Sequence, residues 1–365
     1  MTGVSRRGIP QKALRVGIVL VLLFFLGRQL DQRQATYLAP DSNADIIAKP
    51  AGIVVIGLVF YGRRDRASSM FCYLQRNMVG NGGWLDEVVW VVNTEDPADL
   101  QYLDHIIEQG DGKHKKLQLA DNKLGTRTYY KAWRHVKRGN YYVKIDDDII
   151  WFDDSAIPLL VSRKISHPND FVVSANIINN PPLGFLHFHM GALHPYLPET
   201  RQPSAAPTSW KSSEHGFWQG DRDFSLGLHL SPPYQGHRWL RVEDERMMTQ
   251  TPASELRYEV WGDSYASWTA AAQMHYSLLE NIEKDTLDLY RFNPPWLMHG
   301  ERIRINFMCV YGDDILDNEI ESWPRDRGDE DMLVLDLPAK LHRLRGSATA
   351  VVDGPVVKIP TTGRK

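Results

Sequence analysis

From Gly52 onward the apolar residues come in short unbroken runs, each followed by a mixed, helix-compatible segment. Ile53 to Phe60 (IVVIGLVF) and Glu87 to Val92 (EVVWVV) are continuous and rich in β-branched residues. That is the pattern of strands covered on both faces of a parallel sheet. Between them, residues 64–78 suit a helix, and VGNGG closes it. Asn93 to Pro97 reads as a loop with a cap, and residues 97–109 as a second helix ending at Gly110. Lys116 to Leu119 gives a weaker third strand. Leu124 to Lys137 gives a third helix, closed by Arg138-Gly139-Asn140, and Tyr141 to Ile145 a fourth strand. This alternation predicts an α/β sheet with right-handed crossovers.

The pattern changes further on. Asp170 to Ser174 predicts a fifth strand. Residues 180–260 then hold many prolines, with Trp210, Trp218 and Trp239, and read as an irregular excursion over the active face. Its aromatics argue against disorder. Regularity returns at Trp261-Gly262-Asp263, with a helix expected over 264–284 and an apolar run from Ile303 to Tyr311. Residues 346–365 read as a C-terminal tail, with an edge strand near Ala350-Val351-Val352.

The N-terminus follows another rule. Arg6, Arg7, Lys12 and Arg15 precede the apolar run Val16 to Gly27, and Arg28 closes it. A bilayer span wants roughly 20 residues, and Arg15 and Arg28 can snorkel to extend this one. No small-x-small cleavage pattern follows, although a cleaved signal peptide has the same core. We expect a cytosolic tail over 1–12, an N-terminal transmembrane helix over 13–30 as a signal anchor, a stem over 31–50 and a body over 51–345. The basic excess before the run predicts a single-pass type II orientation, with the body facing the Golgi or ER lumen.

Composition adds little to this. The chain has 365 residues, 43% hydrophobic and 24% charged, with a formal net charge of -3. No basic block points to nucleic acid. Cys72 and Cys309 are the only cysteines. In an oxidising lumen they pair or stay as separate buried thiols, and the sequence leaves both open.

The chemistry concentrates at Asp146-Asp147-Asp148, directly after the fourth strand pattern. Adjacent like charges repel most where water is partly excluded, so a partner of positive charge is expected. In open α/β sheets ligands bind beyond the carboxyl ends of the strands. Two carboxylates at i and i+2 share one side of extended chain, so Asp146 and Asp148 are candidate ligands for a hard divalent cation. Asp147 then faces the other side or a nucleotide ribose.

At these residues the chain resembles the GT-A nucleotide-sugar glycosyltransferases, with Asp146-Asp147-Asp148 in the place of their DxD motif. The resemblance covers roughly residues 52–175. More narrowly, AAQMHYSLLENIE and RIRINFMCVYGDD resemble a group of fungal membrane-anchored proteins of this type. It implies a GT-A-like fold: a mixed, mostly parallel sheet flanked by helices. It implies Mn²⁺ or Mg²⁺ as cofactor, a nucleotide-sugar donor, and a glycan or glycoprotein acceptor. Donor contacts are implied at Tyr61 and Arg63 after the first strand, at Asn93 after the second, at Lys123 and Arg127 around the third helix, and at Asp147. Such enzymes often carry a late metal-binding His. Here none follows His342, and His299 is the substitute candidate.

A general base for inversion is sought at Asp314, then Asp313, after the FMCVY strand. Glu243, Asp244 and Asp263 are rivals. His187, His189 and His194 invite a zinc reading, but without a clear third ligand they read as loop or acceptor-site histidines. Two other functions stay open. One is a haloacid-dehalogenase-like phosphatase using Asp146 and Asp148, with GDDILD as its later metal motif. The other is a non-catalytic luminal protein on the same scaffold.

Overall fold

The computed structural model describes residues 48–119, 126–203, 209–228, 233–234, 236–298, 300–323, 328–345 and 349–358. The expected anchor, 13–30, and the stem, 31–50, as far as residue 47 lie outside the described residues. Among the described residues, no helix is long and apolar enough to cross a membrane.

The first half builds as its pattern predicts. Strand β1 (Val54–Tyr61) is followed by helix α1 (Arg64–Arg76), β2 (Glu87–Val92), α2 (Pro97–Gln109) and β3 (His114–Leu117). Helix α1 buries Ala67, Met70 and Leu74, one face of a 3.6-residue period. Helix α2 starts where Asp96 accepts from the Ala98 and Asp99 amides, with Pro97 in the first turn. The expected third helix is a 3₁₀ segment, Thr126–His135, and β4 runs Asn140–Asp146.

Beyond β4 the chain carries elements that the pattern left unassigned. These are β5 (Ile149–Phe152) and α3 (Ala156–Ser166). Strand β6 spans Val172–Ile178, longer than expected and fully buried. The excursion is more regular than expected. It holds helix α4 (Pro181–His189) and the hairpin of β7 (Tyr196–Pro198) with β8 (Trp239–Arg241). It also closes its own small core, with Tyr196, Leu197, Trp218 and Trp239 buried together. Helix α5 (Trp268–Glu283) follows, capped by Ser267, then β9 (Trp296–Leu297) and β10 (Phe307–Tyr311). A short helix α6 (Gly312–Leu316), a helical run over 329–345 and β11 (Thr349–Lys358) complete the described chain.

One mixed sheet runs β3-β2-β1-β4-β10-β6-β11-β5, with β9 paired to β11. Strands β1 to β4 are mutually parallel, and β10 is inserted antiparallel between β4 and β6. Strand β11 corrects an expectation. It lies inside the sheet, parallel to β6 and antiparallel to β5, and is not an edge strand in a tail. Its ten residues include Pro355, opposite Asn176 where the register shifts. A bulge is where a sheet interior tolerates a proline.

From β1 the chain winds outward through β2 to β3, then returns to place β4 on the other side of β1. That reversal of strand order makes the crevice beyond the carboxyl ends of β1 and β4 the expected ligand position.

The cysteines do not pair: Cys72 is exposed on α1 and Cys309 is buried on β10. Burial pushes the Cys309 thiol up to about 12, so it is an inert core group.

Where β10 ends, Gly312 passes so close to the turn before β4 that a Cβ there would lie 2.2 Å from the Lys137 carbonyl oxygen. Gly312→Ala is expected to destabilise by about 2 kcal/mol or more, as overpacking against backbone does. Gly80, whose Cβ would meet nothing within 4 Å, serves as the control. Gly80→Ala is expected to change stability by about 0.5 kcal/mol or less. Urea unfolding of both variants measures the difference.

Candidate active site

The aspartate triplet leaves the carboxyl end of β4 with Asp146 in register beside Phe60 of β1. The expected positive partners are present, and they are specific. Asp146 accepts from Lys144 Nζ, a buried ammonium that also donates to the Ile305 carbonyl at 3.0 Å and sits 4.8 Å over the Phe60 ring. Lys144 and Asp146 stand at i and i+2, so the pleat turns both to one face. From β10's side, Asn306 Nδ2 donates to Asp146 Oδ2 at 2.9 Å, and the Asn306 carbonyl accepts from the Asp146 amide at 2.9 Å.

Asp147 is held from β1's side. Arg63 donates to it through Nε at 3.0 Å and through its terminal nitrogen, a two-point clasp. The chain at Gly62 runs under this pair: a Cβ on Gly62 would lie 3.0 Å from Asp147 Oδ2. Any larger residue there would press on the Asp147 carboxylate. Asn93, just after β2, bonds the Tyr129 hydroxyl, and Tyr129 meets Phe60 edge-on at 4.7 Å. Burial first, then Asp146 and Asp147, raises the Tyr129 phenol above its usual range. Asp148 is buried, 5% exposed. Beneath the triplet Asp329 is buried too, accepting from Trp133 Nε1 at 3.1 Å. Desolvation pushes Asp329 up to about 6, Lys144 opposing and Asp146 and Glu330 adding to the shift.

Of the residues implicated by the sequence, the fold therefore brings Arg63, Asn93, Asp146 and Asp147 to one crevice, with Asp148 on the same turn. Lys123 and the Arg127 side chain lie outside the described residues, as does His299. Tyr61 is corrected. It is fully buried, donates to the Asp99 carbonyl at 2.7 Å and meets Trp90 edge-on, so it belongs to the core under α2. Strand alternation sends Phe60 to the crevice side and Tyr61 to the other.

Asp313 and Asp314 are corrected as well. Strand β10 is antiparallel to β4, with Phe307 opposite Ile145 and Tyr311 opposite Tyr141. Its carboxyl end therefore lies at the amino end of β4, about 13 Å along the sheet at ~3.3 Å per residue. There Asp313 accepts from the Gly139 amide at 2.6 Å and from Arg138 at 3.1 Å. Asp314 pairs at 2.6 Å with Lys164, a buried ammonium that also donates to the Asp170 carbonyl. Both carboxylates fasten the far end of the sheet. GDDILD begins there too, so it cannot meet Asp146 as a phosphatase metal motif must.

Among the rivals and the histidines, Asp244, His187 and His194 have structural partners. Asp244 caps a 3₁₀ turn and grips Arg246. His187 is buried against Asn176 at 2.7 Å, and His194 meets Asn281 at 2.9 Å. Burial lowers His187 to about 3, so it stays neutral.

Sequence reasoning missed Asn306, Lys144, Tyr129 and Asp329. One signal was readable. Arg302, Arg304 and Asn306 alternate with Ile303, Ile305 and Phe307, a period of two that marks one polar side.

Carboxylate oxygens, as on Asp146 and Asp148, are the donor type that a hard cation takes. Among the described residues no group of three or more His, Cys, Asp or Glu side chains assembles to hold a metal by itself.

No family model and no curated protein matches the chain. It is similar over part of its length to several solved structures. One is glucosyl-3-phosphoglycerate synthase from Mycobacterium tuberculosis in complex with phosphoglyceric acid, 14% identical, covering 39% of this chain and 51% of that one, TM-score 0.30. Another is a mannosyltransferase from Pyrobaculum calidifontis in complex with GDP-Man and Mn²⁺, 15% identical over 45% of this chain and 44% of that one, TM-score 0.29. A third is mannosyl-3-phosphoglycerate synthase from Rubrobacter xylanophilus, 13% identical over 35% of this chain and 41% of that one, TM-score 0.28. The chain thus spans about half, or less, of the structures it matches. Overlap of this extent establishes neither a fold family nor a chemistry.

Asp329 gives the site a measurable pH signature. Folded, it holds its proton up to about pH 6; unfolded, it ionises near the ordinary aspartate value of ~3.9. Between those values the native state binds the extra proton, so stability falls as pH rises, by up to about 3 kcal/mol. Asp329→Asn keeps an acceptor for Trp133 and removes the titration. It is expected to flatten the loss between about pH 4 and 6 and to be at least as stable as the parent at neutral pH. Urea unfolding across that range measures both.

Proposed function

We propose that the protein is a glycosyltransferase that moves a sugar from a nucleotide-sugar donor to a glycan or glycoprotein acceptor. The observation that carries this reading is the position of the aspartate triplet. It stands at the carboxyl end of β4, where strand order reverses beside β1, which is where open α/β sheets take nucleotides.

In this reading Arg63 and Asn93 line the nucleotide side, with Asp147 orienting Arg63. Asp146 and Asp148 hold Mn²⁺ or Mg²⁺ together with the donor's phosphates. When bound, the ion supplies Lewis acidity toward the departing diphosphate. Lys144 and Asn306 fix the Asp146 carboxylate in one orientation before a donor arrives, which lowers the ordering needed on binding. The basic residues ahead of Val16 to Gly27 support a luminal body on a type II anchor in the secretory pathway.

Thermal unfolding of the full chain with UDP, GDP and their sugars, with and without Mn²⁺, tests the reading. One nucleotide is expected to stabilise, by about 2.7 kcal/mol at a hundredfold excess over Kd, and more with Mn²⁺. Asp146→Asn and Asp148→Asn should each remove the metal-dependent part. Stabilisation without turnover of any donor would favour the non-catalytic scaffold. A trapped aspartyl-phosphate on Asp146 would favour the phosphatase. No stabilisation by any nucleotide sinks the transferase.

A further inference from the structure

A second cluster, joined along the chain to residues that act on the triplet, is not used by the donor reading. Trp261 is among the most exposed large apolar side chains described, at 57%. It is nevertheless held in place. The Arg304 guanidinium lies 4.1 Å from its ring centre and Arg302 5.3 Å, and Tyr265 meets it edge-on at 5.2 Å. Arg304 is itself buried, 8% exposed, and lies 4.6 Å from the Tyr265 ring, with a terminal nitrogen 3.2 Å from that hydroxyl.

Glu330 Oε1 stands 3.0 Å from Arg304 and 3.2 Å from Arg302, and Asp331 pairs with Arg302 at 2.5 Å. One Glu330 oxygen thus reaches both guanidiniums that brace the indole, while Trp261 stays open to solvent.

The cluster is tied to the crevice by the chain itself. Arg304 stands two residues before Asn306, which grips Asp146, and Glu330 follows Asp329, which lies under the triplet.

We infer that Trp261 is the platform of the acceptor subsite and takes the face of a neutral pyranose ring; this rests on the transferase reading of the adjacent crevice. The C–H groups on one face of a pyranose make an apolar surface that an indole covers, while its hydroxyls seek donors and acceptors at the rim. Glu330, Asp331 and Arg302 supply both kinds at that rim. The two guanidiniums are balanced by Glu330 and Asp331, and Glu259 packs beside Gly262, so neutral hydroxyls suit the platform better than a phosphate or a uronate. The cation–π contacts from Arg304 and Arg302 hold the indole in place, so little side-chain freedom is lost on binding.

The test uses the full chain and a panel of methyl glycosides of glucose, galactose and mannose, with saturation-transfer NMR as the binding readout. Stabilisation by nucleotide is measured in parallel. At least one glycoside is expected to bind the parent. Trp261→Ala should weaken it about tenfold or more, the loss of one good aromatic contact and its buried area. Trp261→Phe should restore most of the binding, and both variants should keep the parent's stabilisation by nucleotide, with Trp261→Ala melting somewhat lower for its lost cation–π contacts. Equal glycoside binding by the parent and Trp261→Ala overturns the subsite while nucleotide binding leaves the transferase standing. Failure of the whole panel on the parent overturns it as well. Glycoside binding that depends on Trp261, with no nucleotide binding anywhere, keeps the sugar site and removes the transferase.

Discussion

Three consecutive carboxylates at a strand end repel one another, and the charge and hydrogen bonds delivered to Asp146 and Asp147 organise the crevice. Lys144 supplies it from within β4, Arg63 from the loop after β1, and Asn306 from the approach to β10. Each partner is fixed elsewhere. Lys144 is buried and bonded to the Ile305 carbonyl, and Gly62 keeps the backbone close beneath Asp147. Removing either cation would leave a carboxylate of low exposure without its counter-charge, a costly condition in a partly dry site.

The same constraint links distant segments of the chain. Strand β10 must run antiparallel to bring Asn306 to Asp146, and that direction carries Asp313 and Asp314 to the far end of the sheet. Asp329 comes from still later in the chain to act on Asp146 electrostatically, and burial lets it keep its proton up to about pH 6. Glu330, its neighbour, joins the arginines under Trp261. The proposed donor and acceptor sides are thus linked through neighbouring charges of the chain.

How much of this was legible is clear from particular elements. Strands β1, β2 and β4 and helices α1 and α2 were readable because each is a local pattern: continuous β-branched runs, a 3.6-residue face, an Asp96-Pro97 start. Helix α4 and the β7–β8 hairpin were hidden by prolines that in fact start the helix and end a strand. Tyr61 looked like a loop-facing donor contact, but its place in the alternation turned it to the core. Asp314 looked like a base at a strand mouth, and only the direction of β10 shows which mouth.

By itself the sequence determined the α/β winding and the position of the triplet at the end of a buried strand. Both follow from hydrophobic period and turn chemistry, which act over a few residues. Only the tertiary structure decided which partners meet the aspartates, that β11 is interior, and that Trp261 stands braced beside the crevice. Those depend on strand order and direction, which are set by contacts between segments far apart in the chain and leave no local period to read.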